Sequence, residues 1–173
     1  MKLRNVSLAA ILAMSLTVCG TVPQSRSHYI ELIKEQAGTG SGPFQRMAFS
    51  KVVARPFDTV VANVDDKLRR CVPAGSKQTT MGGGSMSTLS VQNSQRVERV
   101  SPIKAEITVQ QYHSSTVGQS EGGFYLLAAD VLRVDNKSVR INFYTAKHYA
   151  GIADAIEKWA QGSQNCHGIG GNP

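Results

Sequence analysis

Reactive side chains in recognisable groupings are what this chain lacks. Its three cysteines, Cys19, Cys71 and Cys166, form no CxxC pair and no zinc-type set. Its four histidines, His28, His113, His148 and His167, are scattered, and the one neighbouring pair, Cys166-His167, would chelate a metal only with strain. No metal and no cofactor are therefore expected. A GxSxG elbow is absent, so the serine, histidine and aspartate residues make no hydrolase motif. Gly82-Gly83-Gly84 is followed by no Lys-Ser or Lys-Thr, which makes it a flexible hairpin turn and not a phosphate cradle. Aromatic residues are 6% and charged residues 18% of the chain, and Arg69-Arg70 is its only adjacent basic pair. A nucleic-acid binder carries a denser Lys/Arg stripe interleaved with aromatics, so nucleic acid is not an expected partner. On these grounds the chain is expected not to be an enzyme.

Long apolar runs are scarce as well. The longest, Val6 to Val18, follows Met1-Lys2-Leu3-Arg4-Asn5, and it is shorter than the ~20 residues of a membrane-spanning helix. A positive start and a short apolar core have the form of an export signal. Its end, Leu16-Thr17-Val18-Cys19-Gly20, resembles the lipobox of bacterial lipoproteins. Leu16 and Cys19 match that pattern, whereas Val18 stands where the family has Gly, Ala or Ser. The resemblance implies cleavage before Cys19, a diacylglycerol on its thiol and an acyl group on the new amino terminus. It also implies an outer-membrane address facing the periplasm, because Gly20 and not Asp follows the cysteine. Two or more acyl chains, at ~0.8 kcal/mol per buried methylene, hold a protein at a membrane where a single chain is marginal. The competing cut after Gly20, with Val18 and Gly20 as the small-residue pair, would release a soluble periplasmic or secreted protein.

Either cut leaves Cys71 and Cys166. An even pair in an exported chain predicts one structural disulfide. Removing Lys2 and Arg4 with the signal leaves 17 basic against 12 acidic residues, a net +5 that is scattered and reads as solubilising charge.

Along the rest of the chain, hydrophobic periodicity and turn residues mark the elements. Ser27 to Ala37 predicts a short helix ended by Gly38, and the glycine-rich 38–43 separates this tether region from the domain. Phe44 to Ala54 predicts a first strand, with Met47, Phe49, Lys51 and Val53 on one side. Phe57, Val60, Val61, Val64, Leu68 and Cys71 recur at helical spacing, with Asp65 and Asp66 each four residues before Arg69 and Arg70. Lys77–Met81 and Met86–Gln92 predict weak strands. Ile103 to Tyr112 alternates cleanly, with Ile103, Ala105, Ile107 and Val109 inward. Phe124 to Val134 is apolar on both sides, and Asp135-Asn136-Lys137 turns it back into Ser138–Thr145. Ala146 to Gln161 predicts a last helix with Tyr149, Ile152, Ile156, Trp159 and Ala160 on one face.

These elements predict an α+β fold: an antiparallel sheet of four to six strands, two amphipathic helices on one face, and a short N-terminal helix. The expected organisation is a signal over 1–18, lipidated Cys19 with tether and short helix over 19–43, one domain over 44–166, and a disordered tail over 167–173. Asp130 interrupts an apolar strand and is the one candidate functional carboxylate, with an edge or outward place as its ordinary reading. Trp159 and Tyr149 read as core. The expected function is a membrane-anchored envelope scaffold or accessory subunit that binds another envelope protein. The alternative is a periplasmic binder of a lipid or cell-wall fragment, held between the sheet and its helices.

Overall fold

A computed structural model describes residues 22–82, 85–114 and 118–169. The order of elements is α1 (Arg26–Glu35), β1 (Arg46–Val53), α2 (Phe57–Cys71), β2 (Gly75–Gly82), β3 (Ser85–Ser101), β4 (Lys104–His113), β5 (Phe124–Arg133), β6 (Val139–Ala146) and α3 (Ala150–Ala160). The strands form one antiparallel sheet in the order β1-β6-β5-β4-β3-β2. β2 to β6 are successive hairpins. α2 carries the chain from β1, at one edge, to β2 at the other.

The α+β architecture is the one that the patterning predicts. Val60, Val64 and Leu68 of α2 and Ala153, Ile156 and Trp159 of α3 are buried in the same core as Ile107, Leu127, Ile141 and Phe143 of the central strands. Two helices with one apolar stripe each and strands with one apolar face are satisfied together by this stacking. The expected ion pairs on α2 form, Asp65–Arg69 at 3.0 Å and Asp66–Arg70 at 2.8 Å.

Four details depart from expectation. The short N-terminal helix belongs to the domain and not to a tether. Tyr29, Ile30 and Ile33 of α1 are buried against Ala128 and Tyr144 on the opposite face of the sheet, which is why β5 is apolar on both sides. Ile103 is 59% exposed, because the pair Ser101↔Lys104 closes a turn over Pro102 and Ile103, so that inward alternation starts only at Ala105. β3 runs on through Gln95–Ser101, well past the weak strand expected up to Gln92. The first residues of the expected disordered tail, 167–169, form a turn in which Ile169 packs against the main core and donates to Cys166 O at 3.1 Å; residues 170–173 lie outside the described residues.

One irregularity ties the two faces together. β5 carries an extra residue, Leu126, between the pairs Val109↔Leu127 and Gln110↔Tyr125. A bulge frees a carbonyl from the ladder. Here Leu126 O accepts from Thr145 Oγ1 at 2.8 Å and from Tyr29 Oη at 3.2 Å, so α1 is fixed to the bulge.

Candidate functional site

α1 covers β5 and β6 and leaves β4 and β3 open on its own face of the sheet. Strand alternation sends Ala105, Ile107 and Val109 to the core and Glu106, Thr108 and Gln110 to this open face. The register brings Ser94, Arg96 and Glu98 of β3 beside them. Gln24, Ser25 and Arg26 at the start of α1 form the facing wall, and Glu121, Gly122 and Tyr125 close one end. The result is an open polar groove of about 640 Å³.

Arg26 anchors the wall. It donates from Nη2 to Ala129 O at 2.7 Å and to Asp130 Oδ1 at 2.8 Å, and Nη1 lies 3.1 Å from Glu106 Oε2. Lys104 Nζ lies 2.7 Å from Glu106 Oε1 and 3.6 Å from Asp130 Oδ1. Two cations and two carboxylates thus neutralise one another at the foot of the groove. The hydrogen bond to Glu106, reinforced by the Asp130 charge, raises the pKa of Lys104 despite its partial burial. Ser25 caps α1, accepting from His28 N at 3.2 Å, and so fixes the turn from which Arg26 projects.

The closing loop is shaped by Gln110, which donates to Glu121 O at 2.9 Å and to Gly123 O at 3.1 Å. Ser120 Oγ donates to the same Gly123 carbonyl. Gly123 has φ +99°, and a Cβ there would run into the Gln111 carbonyl, so only glycine fits. Tyr125 stacks on Tyr29 with ring centroids 5.2 Å apart, and burial raises its pKa. A smaller groove of about 420 Å³ lies beside the start of β1, between Gly38, Arg46, Phe49 and Lys147.

Of the candidates taken from the sequence, Asp130 joins this site. It sits in the middle of the sheet, between Glu106 and Asn142, so its place is outward but not at an edge. Cys71 and Cys166 are joined in a disulfide, Cα atoms 5.2 Å apart, which ties the end of α2 to the turn after α3. Cys19 lies outside the described residues. Trp159 is fully buried, with Nε1 donating to Asn165 O at 2.7 Å, and Tyr149 packs on the core. His167 Nε2 meets Ser163 Oγ at 2.7 Å, but no carboxylate meets His167 among the described residues, and neither groove reaches the pair. No group of three metal ligands occurs among the described residues, and no described helix is long and apolar enough to cross a membrane.

Arg26, Lys104, Glu106, Thr108 and Gln110 are missed by sequence reasoning. The alternation of β4 shows that its polar residues point away from the core, but nothing in the sequence joins Arg26 to Asp130, 104 residues on.

No family model matches the chain and no curated protein does. Among solved structures, a hypothetical protein of Helicobacter pylori superposes with a TM-score of 0.33 at 11% identity, over 72% of this chain and 86% of that one. Norcoclaurine synthase of Thalictrum flavum gives 0.33 at 15% identity, over 73% and 96%. A Streptomyces aromatase/cyclase gives 0.27 at 12% identity, over 58% and 65%. These values define no family for this chain.

Proposed function

We propose that this chain is a non-enzymatic, membrane-anchored envelope lipoprotein, a scaffold or accessory subunit whose groove engages another envelope protein. The observation that carries the reading is the polar groove beside α1. Its floor offers hydroxyl and amide groups, Thr108 and Gln110, and exposed charges of both signs, Arg96 and Glu98. The carboxylates at its foot are engaged by Arg26 and Lys104, so it is equipped for hydrogen bonding more than for proton transfer. An open polar surface of this kind suits a protein segment.

A second reading places a cell-wall fragment in the same groove, where the Tyr125 ring beside hydrogen-bonding groups favours a sugar or short peptide. Between the sheet and α2 and α3, the other place for such a ligand, Trp159, Phe57 and Phe143 are buried in one core cluster. A photo-crosslinking residue at Thr108 in the intact envelope separates the readings. The expected result is a discrete protein adduct, reduced at least about fivefold when Gln110→Trp fills the groove. Adducts to cell-wall material instead select the second reading. Labelling no greater than from a site at the exposed Glu31 overturns both.

A further inference from the structure

β3 is long and its neighbour is short. Pairing with β2 ends at Gly75↔Gln92, after which Asn93 N donates to Ala74 O at 2.9 Å and the chain of β2 leaves the sheet. That bond shows that the backbone of Asn93 points outward. Ser90, of the other parity, points inward, its carbonyl accepting from Ser114 N at 3.0 Å. By the same alternation the N–H and C=O groups of Gln95, Val97 and Arg99 point outward. No strand among the described residues pairs with them. A row of backbone groups at strand spacing that no described strand pairs selects an extended polypeptide as its occupant.

Natural edges of this kind are blocked by proline, by bulges or by charged side chains that find no partner across the edge. The stretch from Ser94 to Arg99 contains no proline, and its register shift comes only at Arg99/Ser101. Its two charges on the groove side are of opposite sign, Arg96 and Glu98. They are 76% and 55% exposed and 3.5 Å apart.

We propose that this edge pairs with the same edge of a second copy, antiparallel and centred on Val97. The symmetry then fixes every neighbour. Val97 lies opposite Val97, and Arg96 lies opposite Glu98 of the second copy, with the reciprocal pair beside it. Two cross-strand ion pairs form on the groove face. On the other face Gln95 lies opposite Arg99 of the second copy. Arg99 is held within its own chain, with Nη2 2.6 Å from Asp58 Oδ1, and needs no new partner in the contact. Val97, half-buried at the margin of the core, is covered by its twin. Six backbone hydrogen bonds arise from three outward residues on each copy, and the contact is a closed two-fold interface. Because Arg96 and Glu98 line the groove, the second copy extends that groove with its own Arg96 and Glu98. The proposal stands without the reading of what the groove binds.

The test uses the full chain. Arg96 and Glu98 of the second copy form a non-hydrogen-bonded pair, whose Cα atoms lie about 4.5 Å apart, within reach of a disulfide. The double variant Arg96→Cys/Glu98→Cys is expected to give a covalent dimer on oxidation, and each single variant is expected to give none beyond the unmodified chain. In sedimentation velocity, Arg96→Glu sets like charges opposite each other and is expected to weaken self-association by about tenfold or more. The charge swap Arg96→Glu/Glu98→Arg restores it, which also shows that the variants fold. A full chain that sediments as a monomer at tens of micromolar, a dimer indifferent to Arg96→Glu, or a cysteine pair that couples to other proteins and not to itself overturns the proposal.

Discussion

Tyr29 shows how one side chain links stability to solution conditions. It is 5% exposed, its hydroxyl donates to the bulge carbonyl of Leu126, and burial raises its pKa above the ordinary tyrosine range. In the unfolded chain the phenol ionises near pH 10, whereas the folded chain keeps the proton to higher pH. The contribution is therefore complete below about pH 10 and is lost progressively as pH rises above it. Lys104, also raised, acts in the same direction, but it is common to both chains in a comparison with Tyr29→Phe. That variant is expected to lose about 1 kcal/mol at neutral pH through the missing hydrogen bond and to show a shallower decline in Tm above about pH 10. Parallel alkaline declines for the two chains, followed by circular dichroism, would falsify this account. The sequence marks Ile30 and Ile33 as one face of a helix, and Tyr29 falls next to that stripe. It cannot show that a bulge at Leu126 provides the acceptor that lets a phenol be buried there.

The elements divide by how local their determinants are. α2, α3 and β4 are legible because each carries its own period, with apolar residues at helical spacing from Phe57 to Cys71 and strict alternation from Ala105 to Gln110. The second half of β3 is not, since Gln95-Arg96-Val97-Glu98-Arg99 contains a single apolar residue and owes its strand to β4 beside it. α1 is legible as a helix but not as part of the domain, because its partners Ala128 and Tyr144 are about a hundred residues away and look like core of the other face. The groove joins the start of α1 to β3, β4 and the segment 121–125, all remote from it in sequence, which is why only Asp130 among its residues stands out in the sequence. The bond between Cys71 and Cys166 joins the end of α2 to the turn after α3 across 95 residues. In the chain-entropy description a loop of that length contributes about 4 to 5 kcal/mol. Cys71→Ser/Cys166→Ser is expected to lose about that much in urea unfolding, and a loss below about 1 kcal/mol would show that the unfolded chain is constrained by other means.

For the whole molecule the proposed attachment has a direct test. On the proposed anchoring, an alkynyl fatty acid fed to growing cells labels the wild-type protein, and Cys19→Ala abolishes the label; an unlabelled wild-type chain would instead favour the cut after Gly20. The place where the chain enters the domain then acquires a mechanical meaning. A pull on the chain ahead of Val22 meets Gln24, which donates to Gly118 O at 3.3 Å, and then Arg26, whose bonds to Ala129, Asp130 and Glu106 take the load together. Behind α1, Gly38 N donates to Arg46 O at 3.0 Å and Arg46 N donates to Thr39 O at 3.2 Å, so tension that passes α1 reaches β1 at its first residue. On that anchoring, load is therefore shared between Arg26 at the wall of the groove and Arg46 at the start of β1.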